Sequence, residues 1–287
     1  MTQSLAGFIT DKARVLEAVG IDQGQAEVEL ILCHLLGVGR LELVLHGRDK
    51  LSPEIMARFD QILEERSRRY PLQYILGESW FYGRKFKVTP AVMAPTPETE
   101  LLCEAAISYA SSAKLVSPRI LDVGVGSGVI SVTVACEIPE ATVTALDISS
   151  DAIAIASSNA ELLGVTDRVR FRHSDFFSSL VAGERFDLIL SNPPYIAESD
   201  YAGLEPEVLA DPKIAMTSGH EGLDAIRTIV QEAPGYLVPG GRLMFEIGYG
   251  QAEKVASLTA QDHRYSSLSI LRDLNNIDRV VILGCNS

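Results

Sequence analysis

The sequence predicts a doubly wound α/β domain on a mixed, mostly parallel seven-stranded sheet, preceded by a small all-helical domain and a β-hairpin connector. Three observations predict it. The first seventy-six residues carry helical periodicity and no strand signal. A short stretch then switches to period two. From there strand-like and helical runs alternate to the end of the chain, the pattern of βα units around a central sheet. The expected division is a helical domain over 1–76, a connector over 77–93 and an α/β domain over 94–287.

In the helical part, apolar residues in "AEVELILCHLLG" (26–37) recur at helical spacing, and Gly37 is placed to stop the helix. Ser52-Pro53 supplies an N-cap and a proline at the first helical position, with Glu54 favourable in the first turn. Ile55, Phe59, Ile62 and Leu63 then share one face of a helix running to about Arg69. The cluster Arg66, Arg68 and Arg69 at its end reads as a solvated face. In "ESWFYGRKFKVTP" (78–90), Trp80, Tyr82, Phe86 and Val88 alternate around Gly83-Arg84, which predicts the hairpin. The strand runs are "RILDVG", "TVTALD", "VRFRHS", "FDLILS", "GRLMFEIG", "SLSILRDL" and "DRVVILG", with amphipathic helices such as "AIAIASSNAELLG" and "LDAIRTIVQEAPGYL" between them. Only Asn275 to Asp278 links the last two strands, too short for a helical crossover, so they pair antiparallel.

Composition excludes several classes. The 287 residues are 47% hydrophobic and 22% charged, ordinary for a globular protein. No apolar run reaches the roughly 18 residues needed to span a bilayer, and the start lacks a basic segment followed by an apolar core, so a cytoplasmic protein without a membrane partner is expected. Cys33, Cys103, Cys136 and Cys285 are scattered without metal-ligand spacing, so no metal is expected. A formal net charge of −13 repels polyphosphate and argues against stable nucleic-acid binding. A monomer is expected.

"ILDVGVGSGVIS" ends a strand at Asp122 and opens a helix near Gly128, with Gly124, Gly126 and Gly128 between. Such glycines permit a tight turn and close approach of a ligand to the backbone. A dinucleotide fingerprint reads GxGxxG, so that a pyrophosphate can sit on the helix N-terminus; this loop reads GxGxG with an acid two residues before it. S-adenosylmethionine has no phosphate and carries an ammonium, for which Asp122 is a suitable neighbour. Asp147, nineteen residues past Gly128 at the end of the second strand, is placed to accept from ribose hydroxyls. Asp175, after the third strand, suits the adenine amino group, with Phe176 against the ring. Taken singly, each of these features also has an ordinary reading as a turn or a helix cap.

The fourth strand ends in Asn192-Pro193-Pro194-Tyr195. The prolines cannot extend a ladder, so they hold a rigid loop with free backbone carbonyls, and Asn192 adds a side-chain acceptor. Acceptors aimed at the N–H bonds of a planar nitrogen hold it and stabilise the charge it gains as it takes a methyl group. Tyr195 is suited to lie flat against the planar group.

These motifs resemble those of the bacterial PrmC/HemK-type release-factor glutamine methyltransferases. The resemblance runs through "EVELILCHLLG", "PLQYILGESWFYGRKFKV", "PTPETELL", "DVGVGSGVIS", "ALDIS", "SNPPYI" and "GHEGLDAIRTIV". It implies a Rossmann-like, AdoMet-dependent domain that methylates the glutamine amide in the Gly-Gly-Gln loop of peptide chain release factors, leaving S-adenosylhomocysteine. Asn192 and the Pro193 carbonyl would accept from the amide, and Pro194 and Tyr195 would complete the substrate site. Gly124, Gly126 and Gly128 would line the cofactor, with Asp147 on its ribose. Pro97, Glu98 and Thr99 would border it, and the helical domain would dock the release factor. The family pattern Pro-Arg-Pro is Pro95-Thr96-Pro97 here, and an expected Glu-Pro is Asp211-Pro212. Asn-Pro-Pro-Tyr alone is shared with amino-methyltransferases of DNA and RNA, and an AdoMet-binding adaptor without catalysis is a further alternative. His173 and His220 are the nearest histidines by sequence, and no dedicated base is expected, since a methylated amide loses its proton readily.

Overall fold

The computed structural model describes residues 4–46, 51–260 and 262–286. The chain divides into two units, Met1–Gly77 with Glu205–Ala210, and Glu78–Leu204 with Asp211–Ser287. Helices α1 (Leu5–Glu17), α2 (Gly24–Leu36), α3 (Arg40–His46), α4 (Pro53–Ser67) and α5 (Leu72–Leu76) make up the first stretch. The Ser4 and Ser52 hydroxyls cap α1 and α4 by accepting from the N–H groups of Gly7 and Ile55, and Gly37 ends α2 at φ 64°. Leu16, Val28, Ile31, Leu32 and Phe59 are fully buried between these helices. A Cβ at Gly24 would stand 2.6 Å from the Ala13 carbonyl oxygen, so α1 and α2 pack this closely only around glycine.

The second unit opens with a hairpin, β1 (Glu78–Phe81) and β2 (Arg84–Lys87). Its turn, Tyr82-Gly83, has φ 50° and 71°, the left-handed pair that a two-residue hairpin needs. Phe86 and Val88 are buried as the alternation predicts, but the first strand is out of phase by one: Phe81 is buried, whereas Trp80 is exposed under the ammonium of Lys85. Phe81 and Phe86 join Leu102, Ile120 and Val132 in one core layer, so the hairpin is part of this unit's interior. Next come α6 (Glu98–Ser112), β3 (Arg119–Val123), α7 (Val129–Glu137), β4 (Thr142–Asp147), α8 (Ser150–Leu162), β5 (Val169–His173) and β6 (Phe186–Ser191). Two single-turn helices, α9 (Pro206–Leu209) and α10 (Lys213–Met216), precede α11 (Asp224–Glu232), β7 (Leu237–Glu246), α12 (Ala252–Thr259), β8 (Tyr265–Arg272) and β9 (Asp278–Cys285).

The seven-stranded sheet runs β5-β4-β3-β6-β7-β9-β8. Its first five strands are parallel, and β9 pairs antiparallel with both β7 and β8, as the short final link requires. Successive residues feed opposite layers: Ile120, Leu188 and Leu190 pack on one face, Leu121, Val123 and Ile189 on the other. Among the described residues, no helix is long and apolar enough to cross a membrane.

The arginines at the end of α4 are not the solvated face that their spacing suggests. Arg66 is 5% exposed; its Nε and Nη2 donate to Glu27 at 2.6 and 3.0 Å, and its Nη1 donates to Glu207 at 2.7 Å. Arg69 donates to Glu207 at 2.6 and 2.8 Å and to Glu205 at 2.7 Å. Only Arg68 lies out in solvent, paired with Glu64. A desolvated guanidinium is tolerated because carboxylates surround it, and those partners come from α2 and from α9, far apart in sequence. Burial opposes ionisation of Glu207, but the bonds from Arg69 and Arg66 outweigh it and take the carboxyl down to about 2.

That shift fixes the sign of an acid response. Glu207 stabilises the fold fully above its ordinary pKa of 4.5, and its contribution is lost as pH falls towards about 2. Glu207→Gln is expected to lower unfolding free energy by about 2 kcal/mol at pH 7. Denaturant titrations at several pH values should show the difference from wild type shrinking below about pH 4.5.

Candidate active site

Parallel register decides where the functional segments meet. Val123 is level with Leu146, Asp147 with His173, and Asp122 with Leu190, so β3, β4, β5 and β6 all finish at one edge. A cavity of about 400 Å³ opens there, walled by Gly124, Gly126, Asp147, Asp175, Phe176 and Asn192 among others. The glycine loop is shaped by its neighbour strand. The N–H groups of Gly124 and Val125 donate to the Leu146 carbonyl at 2.9 Å, and that of Gly126 donates to Asp147 Oδ2 at 2.9 Å. Asp147 Oδ1 accepts from the Ser149 N–H at 2.8 Å. Gly124 and Gly126 have φ 81° and 53°, and a Cβ at either would meet no protein atom within 4 Å. On the cavity wall, that Cβ would occupy the space of a ligand lying along the backbone. This cradle, with one carboxylate at each of two successive strand ends and an aromatic ring beside the second, fits an adenosyl group carrying an amino-acid tail.

Five predicted residues lie elsewhere. Gly128, at φ 84°, is away from the wall: its Cβ would come within 3.0 Å of the Ala156 side chain, so it lets α7 pack on α8. Asp122 is fully buried behind the loop, where Oδ2 accepts from the Ser131 hydroxyl and N–H and Oδ1 has no protein partner. Burial pushes its carboxyl up to about 7 against those bonds, with the Asp147 charge adding to the rise. Tyr195 does not face the cavity either. Its ring packs against the layer containing Leu223, Phe245 and Ile247, and its hydroxyl donates to Glu246 Oε1 at 3.3 Å. A buried phenol needs an acceptor, and Glu246 supplies it. Pro97 and Glu98 are also off the wall, whereas Pro95 and Thr99 are on it; His173 and His220 are exposed and do not line it.

Asn192 is held by a chain of bonds that no sequence pattern announces. Its Nδ2 donates to Thr99 Oγ1 at 3.0 Å, and the Thr99 hydroxyl donates to Glu246 Oε2 at 2.7 Å. Thr96 Oγ1 lies 3.3 Å from Thr99 Oγ1. Among the described residues no protein donor reaches Asn192 Oδ1 or the Pro193 carbonyl, so both acceptors stay available. The backbone beyond is fixed by Gln251, whose Nε2 donates to the carbonyls of Tyr195 and Gly222 at 2.9 and 3.2 Å. Gly222 cannot carry a side chain, since its Cβ would lie 2.2 Å from the Tyr195 carbonyl oxygen. Asn159, also unforeseen, is fully buried and joins the hairpin to the glycine loop: it accepts from Lys87 N–H at 2.7 Å and donates to the Lys87 and Ser127 carbonyls at 2.9 and 2.8 Å. Glu246 carried a visible signal, an acid closing the apolar strand "GRLMFEIG" just as Asp147 closes "TVTALD".

The PrmC N-terminal domain family matches residues 9–77, and the methyltransferase small domain family matches residues 100–221. A release factor glutamine methyltransferase of Cereibacter sphaeroides is 43% identical over 267 residues, 93% of each chain. One of Geobacter sulfurreducens is 42% identical over 276 residues, 96% of this chain and 92% of the relative. The chain belongs to the release factor glutamine methyltransferase family. Distant members of the wider fold superpose as well. A methyltransferase from Pyrococcus furiosus does so with a TM-score of 0.52 at 17% identity, over 72% of this chain and 91% of that one. The T. thermophilus 16S rRNA N2 G1207 methyltransferase, in complex with AdoMet and guanosine, gives 0.55 at 18% identity, over 73% and 50%. At those identities they share the Rossmann-like methyltransferase fold and nothing narrower.

The two kinds of glycine should separate in experiment. Gly128→Ala combines a left-handed backbone with a clash at Ala156 and is expected to cost about 2 kcal/mol or more. Gly126→Ala meets no protein atom and is expected to cost only about 1 kcal/mol, from its backbone alone. Thermal unfolding of the two variants measures the difference.

Proposed function

We propose that this chain transfers a methyl group from S-adenosylmethionine to the side-chain amide nitrogen of glutamine in the Gly-Gly-Gln motif of peptide chain release factors. The observation that carries it is the anchored Asn192 amide on the cavity wall, whose Nδ2 donates to Thr99 and whose Oδ1 meets no protein donor among the described residues. Bound in the cavity, the cofactor supplies a methyl group activated by a sulfonium. The backbone at Gly124 and Gly126 makes room for it, Asp147 accepts from its ribose hydroxyls, and Asp175 with Phe176 receives its adenine.

An amide nitrogen is a poor nucleophile because its lone pair is delocalised. Asn192 Oδ1 and the Pro193 carbonyl accept from its two N–H bonds, which holds the amide plane and directs the nitrogen face towards the methyl carbon. As the C–N bond would form, the methyl carbon would leave sulfur with the C–S electron pair going to S-adenosylhomocysteine, and both acceptors would stabilise the positive charge growing on nitrogen. The proton then leaves to water, so no dedicated base is required. Pro193 and Pro194 keep the loop rigid while this happens. The helical stretch matched by the PrmC N-terminal domain docks the release factor, with the chain acting as a cytoplasmic monomer that forms no stable complex with nucleic acid or membrane.

Labelled AdoMet offered separately with release factors, DNA and RNA tests the reading: label is expected in the release factor alone, and label in nucleic acid alone overturns it. Asn192→Ala is expected to lower kcat by about 10²-fold, with AdoMet Kd within about 2-fold of wild type by calorimetry.

A further inference from the structure

We propose that Glu246 is a positioning residue that, through Thr99, determines which end of the Asn192 amide faces the cavity. The inference rests on the reading of Asn192 as an acceptor for the substrate amide.

An asparagine side chain is nearly symmetric in shape but opposite in polarity at its two ends. Oxygen towards the cavity receives a substrate N–H; an NH2 group there would meet that N–H donor to donor. Packing alone cannot choose between them, because the two orientations fill the same space. The choice falls to Thr99, which has one proton to give and lone pairs with which to receive. If Thr99 donates elsewhere, it receives from Asn192 Nδ2 and the oxygen points to the cavity. If Thr99 has no other acceptor, its proton is free to go to Asn192 Oδ1, and the amide turns over.

Glu246 provides that other acceptor. It ends β7, Thr99 lies in the first turn of α6, and Asn192 follows β6, so three separate elements converge on one chain of bonds. Glu246 is 1% exposed, and both of its oxygens receive hydroxyl protons, Oε2 from Thr99 and Oε1 from Tyr195. Above about pH 7 Glu246 is a carboxylate, which accepts and does not donate, and in that form it sets a single direction for every bond behind it. Thr96 Oγ1 lies 3.3 Å from Thr99 Oγ1 and could give or receive there, but the shorter 2.7 Å bond to Glu246 takes the Thr99 proton and leaves Thr96 to donate. Burial pushes the Glu246 carboxyl up to about 7 against the bonds from Thr99 and Tyr195 and the charge of Arg279, with Glu98 adding to the rise. A carboxyl so expensive to desolvate is a poor choice for filling a core. Tyr195 acquires a role in the same frame: its hydroxyl occupies Oε1 and leaves Oε2 to Thr99.

The test uses the full chain, AdoMet and a release factor as methyl acceptor. Glu246→Leu, which removes the acceptor, is expected to lower kcat about 10-fold while AdoMet Kd stays within about 2-fold. Glu246→Gln keeps one carbonyl for Thr99 and should stay within about 3-fold of wild type. Thr99→Val, similar in shape but without the hydroxyl, should repeat the loss of Glu246→Leu, and Thr99→Ser, which keeps the hydroxyl, should stay within about 3-fold of wild type, so the question stays answerable if the Glu246→Leu substitution impairs folding. In an Asn192→Ala background, Glu246→Leu should cost nothing further in single-turnover rate, because the group it orients is gone. The same 10-fold loss in that background, equal losses for the Gln and Leu substitutions, or a loss of AdoMet affinity in place of kcat overturns the proposal. Full turnover by Asn192→Ala alone would remove the reading beneath it, an outcome visible before any Glu246 variant is made.

Discussion

Parallel pairing in step is the constraint on which everything else in the second unit depends. Because β3, β4, β5 and β6 start and stop together, the chain leaves each strand at the same edge, and each departure places a different chemical group there. Gly124 contributes bare backbone, Asp147 and Asp175 carboxylates, and Asn192 an amide. A slip of one residue in any pair would reverse the faces of that strand, burying Asp147 or Asn192 and exposing their apolar neighbours. The apolar alternation that builds the two core layers therefore also aligns the site. Stability and chemistry use the same register.

The site is stiff because its polar atoms are bonded to one another before any ligand arrives. Asp147 holds the glycine loop through Gly126, Asn159 holds it through Ser127, and Gln251 ties Tyr195 to Gly222. Each of these bonds spans segments distant in sequence, and those of Asn159 to Ser127 and Gln251 to Gly222 are buried, where losing a partner costs more than the bond itself is worth. Asp122 stands apart, a carboxyl raised to about 7 by burial, with one oxygen unpaired behind the loop. It ties the end of β3 to Ser131 of α7 and does not line the cavity.

Local and periodic features were legible in the sequence. The caps at Ser52 and Gly37, the seven strands, the antiparallel final pair and the glycine turn all follow from short-range rules. So did Gly124, Gly126, Asp147, Asp175, Phe176 and Asn192 as residues at one sheet edge, because parallel topology alone carries strand ends there. What was not legible depends on side-chain direction and on long-range partners. Tyr195 follows Pro194 yet turns towards Glu246, fifty-one residues on. Gly128 shares the spacing of the other two glycines, but its need for glycine comes from Ala156 on the next helix. The arginines of α4 look like a surface run until Glu27 and Glu207 are seen to enclose Arg66. Only the first strand of the hairpin reads one residue out of phase, because Trp80 outweighs Phe81 in size while the turn at Tyr82-Gly83 decides which of them points inward; Phe86 and Val88 in the second arm are buried as expected.

The first unit is not one continuous length of chain, since Glu205–Ala210 belongs to it although 127 residues of the other unit intervene. Its boundary is therefore written in two places, and neither can be inherited alone. A recombination event that exchanged residues 1–77 between relatives would carry Arg66 and Arg69 into a chain whose acidic partners had evolved with someone else's helices. The short α9 segment, easily dismissed as part of a loop, thus belongs with the end of α4: in this chain an exchange of residues 1–77 alone would separate Arg66 and Arg69 from Glu205 and Glu207.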